Sequence, residues 1–275
     1  MSGGGIDVLW FEAVTADLPA GDDWLGQEEL RVLRAFRVPK RRDDWRLGRW
    51  TAKHAVAAYL NMAVDPASLA AIEIRPADSG APEVFLSHQP AAVSISISHC
   101  NGAAVCAVAQ SGVALGCDLE VIAPRSDAFI ADYFIDSERA LIAEAPVAQR
   151  AWLATFLWSA KESALKALHE GLRLDTRSVH VQSAPPPDDD RDDWRPLTVS
   201  ADCGCSFAGW SRRDPEFVRT VVSSPAAGPL RTVTKSPIAN HKSPESFSST
   251  LKSESGCPPS LRPARSMQRP RPSRS

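Results

Sequence analysis

The chain has 275 residues, 44% of them hydrophobic and 23% charged, with a formal net charge of −2. That is enough apolar material for one sizeable core or two small ones. No apolar run approaches the ~18–20 residues that a helical bilayer crossing needs, and MSGGGIDVLWFEAV at the N-terminus does not read as a secretory signal.

The six cysteines lie mostly inside apolar runs, which suits reduced, core-packed thiols in a cytoplasm better than a disulfide framework. Cys203-Gly204-Cys205 is too tightly spaced for an ordinary zinc knuckle and has no partner pair. Charge is strongly segregated. Arg31 to Lys53 holds nine basic residues against Asp43 and Asp44, and Arg231 to Ser275 holds nine against Glu245 and Glu254. Residues 1–230 as a whole carry 22 basic and 31 acidic side chains. An acidic body with one concentrated basic segment points to a local anion site rather than a nucleic-acid surface.

In chain order, GQEELRVLRAFRV (26–38) has Leu30, Leu33 and Phe36 at helical spacing, with Pro39 closing the run. A second helix is predicted over DDWRLGRWTAKHAVAAYLNM, with Trp45, Leu47, Trp50, Ala57 and Leu60 as its buried stripe. Arg42, Arg46, Arg49 and Lys53 recur on another of its faces. AIEIRP, PEVFL and VSISIS read as strands. AAVCAVAQSG and VALGCDLEVI read as a hairpin turned at Gln110-Ser111-Gly112.

SERALIAEAP reads as a helix capped by Ser137. AWLATFLWSAKESALKALHEG is the strongest helical pattern, with Gly171 placed to end it. Four short strands follow, SVHVQ, RPLTVSA, SFAGW and FVRTVV, interrupted by a Pro/Asp-rich loop at 184–193. Residues 231–275, with eleven Ser and seven Pro and no apolar periodicity, read as a disordered basic tail. The abrupt change fits either a read-through or frameshifted end or a flexible basic extension. No internal repeat stands out, although the order of helix then strands recurs and permits two similar α+β lobes.

Two patterns carry chemistry. In GCDLE, strand alternation turns Asp118 and Glu120 to one face and Leu119 to the other. Two like charges on one face repel unless a metal, a Lys or Arg, or solvent lies between them. In WSAKESALKA, Glu162 and Lys166 share a helix face with Trp158 one turn earlier, an arrangement that also occurs as a plain surface Glu–Lys pair.

Read together, SISISHCNGAAVCAVA, ALGCDLE, YFIDSE and FLWSAKESALKALHEGLRL closely resemble the 4′-phosphopantetheinyl transferases, of the long, surfactin-synthetase-activating type. The resemblance runs from about Arg37 to Val181. It implies two pseudo-symmetric α+β lobes, 1–111 holding the phosphates of coenzyme A and 112–230 holding the metal and catalytic residues. It further implies Mg²⁺-dependent transfer of the phosphopantetheine arm to a serine of an apo carrier protein (acyl, peptidyl or polyketide), leaving adenosine 3′,5′-bisphosphate.

By this resemblance Asp118, Glu120 and Glu162 are metal ligands, Glu162 is also the base, and Glu138 is an auxiliary acid near the metal. Lys166 contacts phosphate, and Trp158 is a packing or wall residue. Arg49 is the best match for binding coenzyme A, with Arg42, Lys53, Ser98 and His99 beside it. Mg²⁺ suits such a donor set, since it binds a few carboxylates together with substrate phosphate and water. Cys100 stands where the family has a Ser, a poorer hydrogen-bond donor, and Cys117 replaces an aliphatic residue. The resemblance also implies a cytoplasmic monomer acting in secondary metabolism, with no membrane or nucleic-acid partner. The alternatives are a metal-dependent hydrolase of coenzyme A or a related nucleotide, and a non-catalytic protein that binds carriers.

Overall fold

The computed structural model describes residues 5–170, 173–183 and 193–234. The first sheet comprises β1 (Leu9–Val14), β5 (Val93–Cys100), β6 (Ala103–Gln110) and β12 (Arg231–Thr234), in the order β12-β1-β6-β5. The second comprises β7 (Ala114–Val121), β8 (Val179–Val181), β9 (Arg195–Ala201), β10 (Ser206–Arg213) and β11 (Phe217–Ser224), in the order β7-β11-β10-β9-β8. A small third sheet joins β2 (Ile72–Pro76), β3 (Pro82–Leu86) and β4 (Gln89–Pro90). The helices are α1 (Gln27–Ala35), α2 (Pro39–Tyr59), α3 (Pro66–Ala70), α4 (Asp127–Tyr133), α5 (Asp136–Glu144) and α6 (Val147–Ala167). The fold is mixed α+β, as the sequence leads one to expect.

Three cores follow from strand alternation. Leu9, Phe11 and Ala13 of β1, with Ala104, Cys106 and Val108 of β6, pack against α2. The opposite faces of the same strands supply Val8, Trp10, Val105 and Ala107 to a core shared with Leu115, Cys117 and Leu119 of β7. Residues of α6 and of strands β8–β11 form the third core. The layers therefore run helix, sheet, sheet, helix. Both faces of β1 and β6 are buried, which explains why their sequences are nearly continuous apolar runs rather than alternating ones.

That double burial is also why the expected hairpin is wrong. β6 and β7 do not pair: β6 pairs with β5 and β1, while β7 pairs with β11. The chain crosses between sheets near Gly112, at φ +84°. The real hairpin is β5–β6, turned at Asn101 and Gly102, both at positive φ, the backbone twist that two-residue hairpins favour.

Four further expectations shift. Pro39 opens α2 rather than only closing the run before it, because a fixed φ and a missing N–H are tolerated at the first helical position. Ser137 lies inside α5; the end is capped instead by the Glu138 carboxylate, which accepts the Ile135 N–H at 3.1 Å. α6 closes at Ala167, with His169 at φ 57° supplying the left-handed residue; Gly171 lies outside the described residues. Arg231–Thr234 form β12, parallel to β1, so the expected tail loses those four residues. Residues 235–275 and most of the 184–193 loop lie outside the described residues.

Candidate active site

The site forms where β7 passes under α6. Leu115, Cys117 and Leu119 face the shared core, so Gly116, Asp118 and Glu120 face the helix, as alternation requires. Gly116 is needed for this contact, since a Cβ there would stand 1.8 Å from the Ser163 carbonyl oxygen. A bare backbone at this position lets α6 settle onto β7 and sets Glu162 and Lys166 over the carboxylates.

Asp118 is buried. Its Oδ1 accepts hydrogen bonds from the Ser98 hydroxyl and the Lys166 ammonium, both at 2.8 Å. Its Oδ2 is buried with no hydrogen-bond partner. Lys166 also donates to the Cys117 carbonyl at 3.0 Å. Burial pulls Lys166 down, but Asp118 and Glu162 outweigh it and hold the ammonium above its ordinary value. Glu120 accepts the Trp158 indole N–H at 3.1 Å and pairs with Arg125 at 2.9 Å. Burial, then the Asp118 charge, raises Glu120. Glu162 is raised to about 7, first by burial and then by Asp118 and Glu120, against the pull of Lys166.

Burial and the neighbouring carboxylates thus raise Glu120 and Glu162. Among the described residues, no group of three or more His, Cys, Asp or Glu is gathered tightly enough to hold a metal ion. The donors nevertheless suit a hard divalent cation: all are carboxylate oxygens, one is buried without a partner, and the charge is in excess of the cations present.

The first lobe meets this site through β5. The Ser96 hydroxyl accepts the Cys117 N–H at 2.9 Å, and Ser98 holds Asp118, so alternate residues of β5 buttress β7. His99 points the other way, toward Gly48 of α2, where a Cβ would stand in ordinary contact at 3.8 Å from His99 Cδ2. Desolvation holds the His99 imidazole below its ordinary value, helped by Lys166 and Lys40 and opposed by Asp44 and Asp118. Lys40 and Asp44 of α2 therefore lie near enough to His99 to act on it electrostatically. Sequence reasoning missed this pair, although its i, i+4 spacing is legible.

The other expected residues have partners of their own. Lys53 is completely buried; it pairs with Glu29 at 2.5 Å and donates to the Trp24 and Leu69 carbonyls at 3.0 and 2.9 Å. It is an internal anchor. Arg49 is mostly buried, lying 3.8 Å from Glu29 and stacked over Trp45. Arg42 is half exposed, 3.7 Å from Asp22. Glu138 is buried, paired with Lys161 at 2.9 Å while it caps α5, so the structure does not bring it to the three carboxylates. Ser98 serves Asp118 rather than standing open to a phosphate.

Residues 114–195 match the family model described as the 4′-phosphopantetheinyl transferase superfamily. Curated proteins give no match. Among solved structures, a holo-(acyl-carrier-protein) synthase from Bacillus anthracis in complex with CoA (3′,5′-ADP) is 21% identical over 39% of this chain and 98% of its own, with a TM-score of 0.33. The Helicobacter pylori holo-[acyl-carrier-protein] synthase in complex with coenzyme A is 22% identical over 38% of this chain and 99% of its own, with a TM-score of 0.27.

Proposed function

We propose that this enzyme transfers the 4′-phosphopantetheine arm of coenzyme A to a serine of an apo carrier protein with Mg²⁺, releasing adenosine 3′,5′-bisphosphate. The observation that carries the reading is Asp118 Oδ2, buried without a partner beside two further carboxylates and Lys166. Asp118, Glu120 and Glu162 would hold the metal, which supplies charge neutralisation at the pyrophosphate when bound.

The protein's own groups account for the remainder. Glu162, beside Asp118 and Lys166, is the candidate to accept the serine proton. Lys166 stays cationic and balances charge that builds on phosphate oxygens. Ser98 keeps Asp118 oriented by its 2.8 Å hydrogen bond. Arg42, Arg49 and His99 face the anionic end of the coenzyme, while Lys53 and Glu138 hold the two lobes' helices and take no part. Two lobes in one chain favour the long type, acting as a monomer in the cytoplasm; no helix among the described residues is long and apolar enough to cross a membrane.

The test is the intact mass of apo carrier proteins of the acyl, peptidyl and polyketide kinds after incubation with coenzyme A and Mg²⁺. A gain of one phosphopantetheine arm, absent without metal, supports the reading. Cleavage of coenzyme A with every carrier left unmodified replaces it with a hydrolase.

A further inference from the structure

The transfer chemistry makes no use of the tip of the β9–β10 hairpin, Asp202-Cys203-Gly204-Cys205. Its shape is fixed by two backbone hydrogen bonds, Gly204 N–H to the Ala201 carbonyl and Ala201 N–H to the Cys205 carbonyl, both 2.9 Å. Gly204 takes φ +83°, a left-handed residue that folds the chain back between the two cysteines. Residues two apart span at most about 7 Å when extended, and the bend shortens this into the roughly 4.4–6.8 Å range of Cα separations that a disulfide accepts. The tip is tied down by Asp202 N–H to the Ser178 carbonyl at 2.9 Å and by the His180–Asp202 contact at 2.8 Å.

The two thiols are unequal. Cys203 is exposed, whereas Cys205 is half-buried against the α6-side core. We infer that this tip is a thiol–disulfide exchange site, with Cys203 as the attacking thiol, Cys205 as the resolving thiol, and a low-molecular-weight disulfide as substrate.

Cys203 thiolate attacks one sulfur of the disulfide, forming a mixed disulfide and expelling one thiolate. Cys205 thiolate then attacks the Cys203 sulfur, closing the Cys203–Cys205 bond and expelling the second thiolate. The two cysteines are oxidised by two electrons, and the external disulfide is reduced to two thiols. A hydrogen bond from Cys205 keeps the Cys203 thiol below its ordinary value, and the same contact raises Cys205. The remaining described cysteines supply the contrast: Cys100, Cys106 and Cys117 are buried, and burial pushes Cys117 up to about 11. No third and fourth ligand accompany the pair among the described residues, which favours sulfur exchange over zinc.

The test takes the full chain, reduced and then equilibrated in glutathione buffers of stepped oxidised-to-reduced ratio, acid-quenched, alkylated and mapped by peptide mass. As the buffer grows more oxidising, the peptide holding both cysteines should pass from doubly alkylated to unlabelled and two hydrogens lighter than its free dithiol, and should return on reversal. Peptides with Cys100, Cys106 and Cys117 should stay alkylated. Cys205→Ser should accumulate one glutathione on Cys203, and Cys203→Ser should take up none at Cys205. In the reduced protein under native conditions, Cys203 should alkylate at least about tenfold faster than the buried cysteines. A dithiol that persists through the whole series overturns the proposal, as does a glutathione adduct on Cys203 that never closes onto Cys205, or a bond formed to Cys257 instead.

Discussion

In α2 the residues Trp50-Thr51-Ala52-Lys53-His54 occupy the helix positions that Trp158-Ser159-Ala160-Lys161-Glu162 occupy in α6, and both helices are 21 residues long. Each is preceded by a nine-residue helix. In each lobe the lysine is fully buried, donates to two backbone carbonyls, and pairs with a glutamate, Glu29 or Glu138, in the first turn of the short helix, where the carboxylate also caps that helix. Each long helix is followed by a leucine cap and then a left-handed residue, Asn61 or His169.

The scaffold is thus shared, and the lobes differ one position later. His54 stacks on Phe11 and Trp50, closing its lobe with apolar contact. Glu162 instead meets Asp118 and Glu120, and Ala58 of α2 gives way to Lys166. The strands beneath differ in the same sense. Glu12 of β1 is satisfied by Trp10, Arg212 and Arg219, whereas Asp118 of β7 keeps one oxygen without a partner. One copy of the scaffold has its strand carboxylate fully partnered, and the other is left with unbalanced charge.

This comparison is broken most severely at Asp118. Asp118→Ala should lower phosphopantetheine transfer by about 10³-fold or more, as loss of a buried group that meets transition-state charge does, without lowering the melting temperature. Steady-state transfer and calorimetry on the same preparation check both halves; a variant that keeps its activity, or loses it only by unfolding, contradicts the assignment.

The next largest effect concerns the shared half. Lys161→Ala and Lys53→Ala each strand a buried carboxylate and should cost about 3–5 kcal/mol in urea unfolding. Replacing each pair by apolar residues, Lys161→Met with Glu138→Leu and Lys53→Met with Glu29→Leu, should cost markedly less than either single change. If Glu138 were an acid of the reaction, the Lys161→Met, Glu138→Leu variant would fold and lose transfer; retention of transfer is expected.

How much of this was legible follows from where the partners come from. The parity of Asp118 and Glu120 and the helix bearing Glu162 and Lys166 are periodic features, and Leu119 does turn inward as read. The separation of β6 from β7 was not legible, because strands buried on both faces carry no alternation to say which sheet they join. Lys53 looked like part of a basic stripe because its partners are mostly backbone carbonyls, which leave no trace in composition. The capping role of Glu138 was not legible because its capped residue is Ile135, so the usual Ser/Thr signature is missing. The WTAKH and WSAKE strings were visible throughout, and matching them would have exposed both buried lysines as scaffold.

A smaller effect separates the lobes by pH. Glu162 titrates near its ordinary 4.5 when unfolded and at about 7 when folded, so between those values the native state binds more protons. Stability of the metal-free protein should therefore fall as pH rises from about 4.5 to 7, by on the order of 2 kcal/mol. Glu162→Gln should flatten that decline in a chelator, measured as melting temperature against pH; His54→Gln should leave the decline in place. An unchanged slope in the Glu162 variant would place the titration elsewhere.

The smallest effect lies within α2, where burial divides residues that composition treats alike. Arg42 is half exposed and only loosely paired, so Arg42→Ala should change stability by less than about 0.5 kcal/mol. Arg46, one turn on, pairs with Asp22 at 2.9 Å and donates to the Pro19 and Gly21 carbonyls at 2.8 and 3.1 Å, so Arg46→Ala should cost about 1–3 kcal/mol. If Arg42 holds a coenzyme phosphate, its loss raises KM for coenzyme A several-fold and leaves kcat nearly unchanged, because an exposed cation contributes about equally to ground-state and transition-state binding. A fall in kcat instead would place Arg42 at the reacting phosphates.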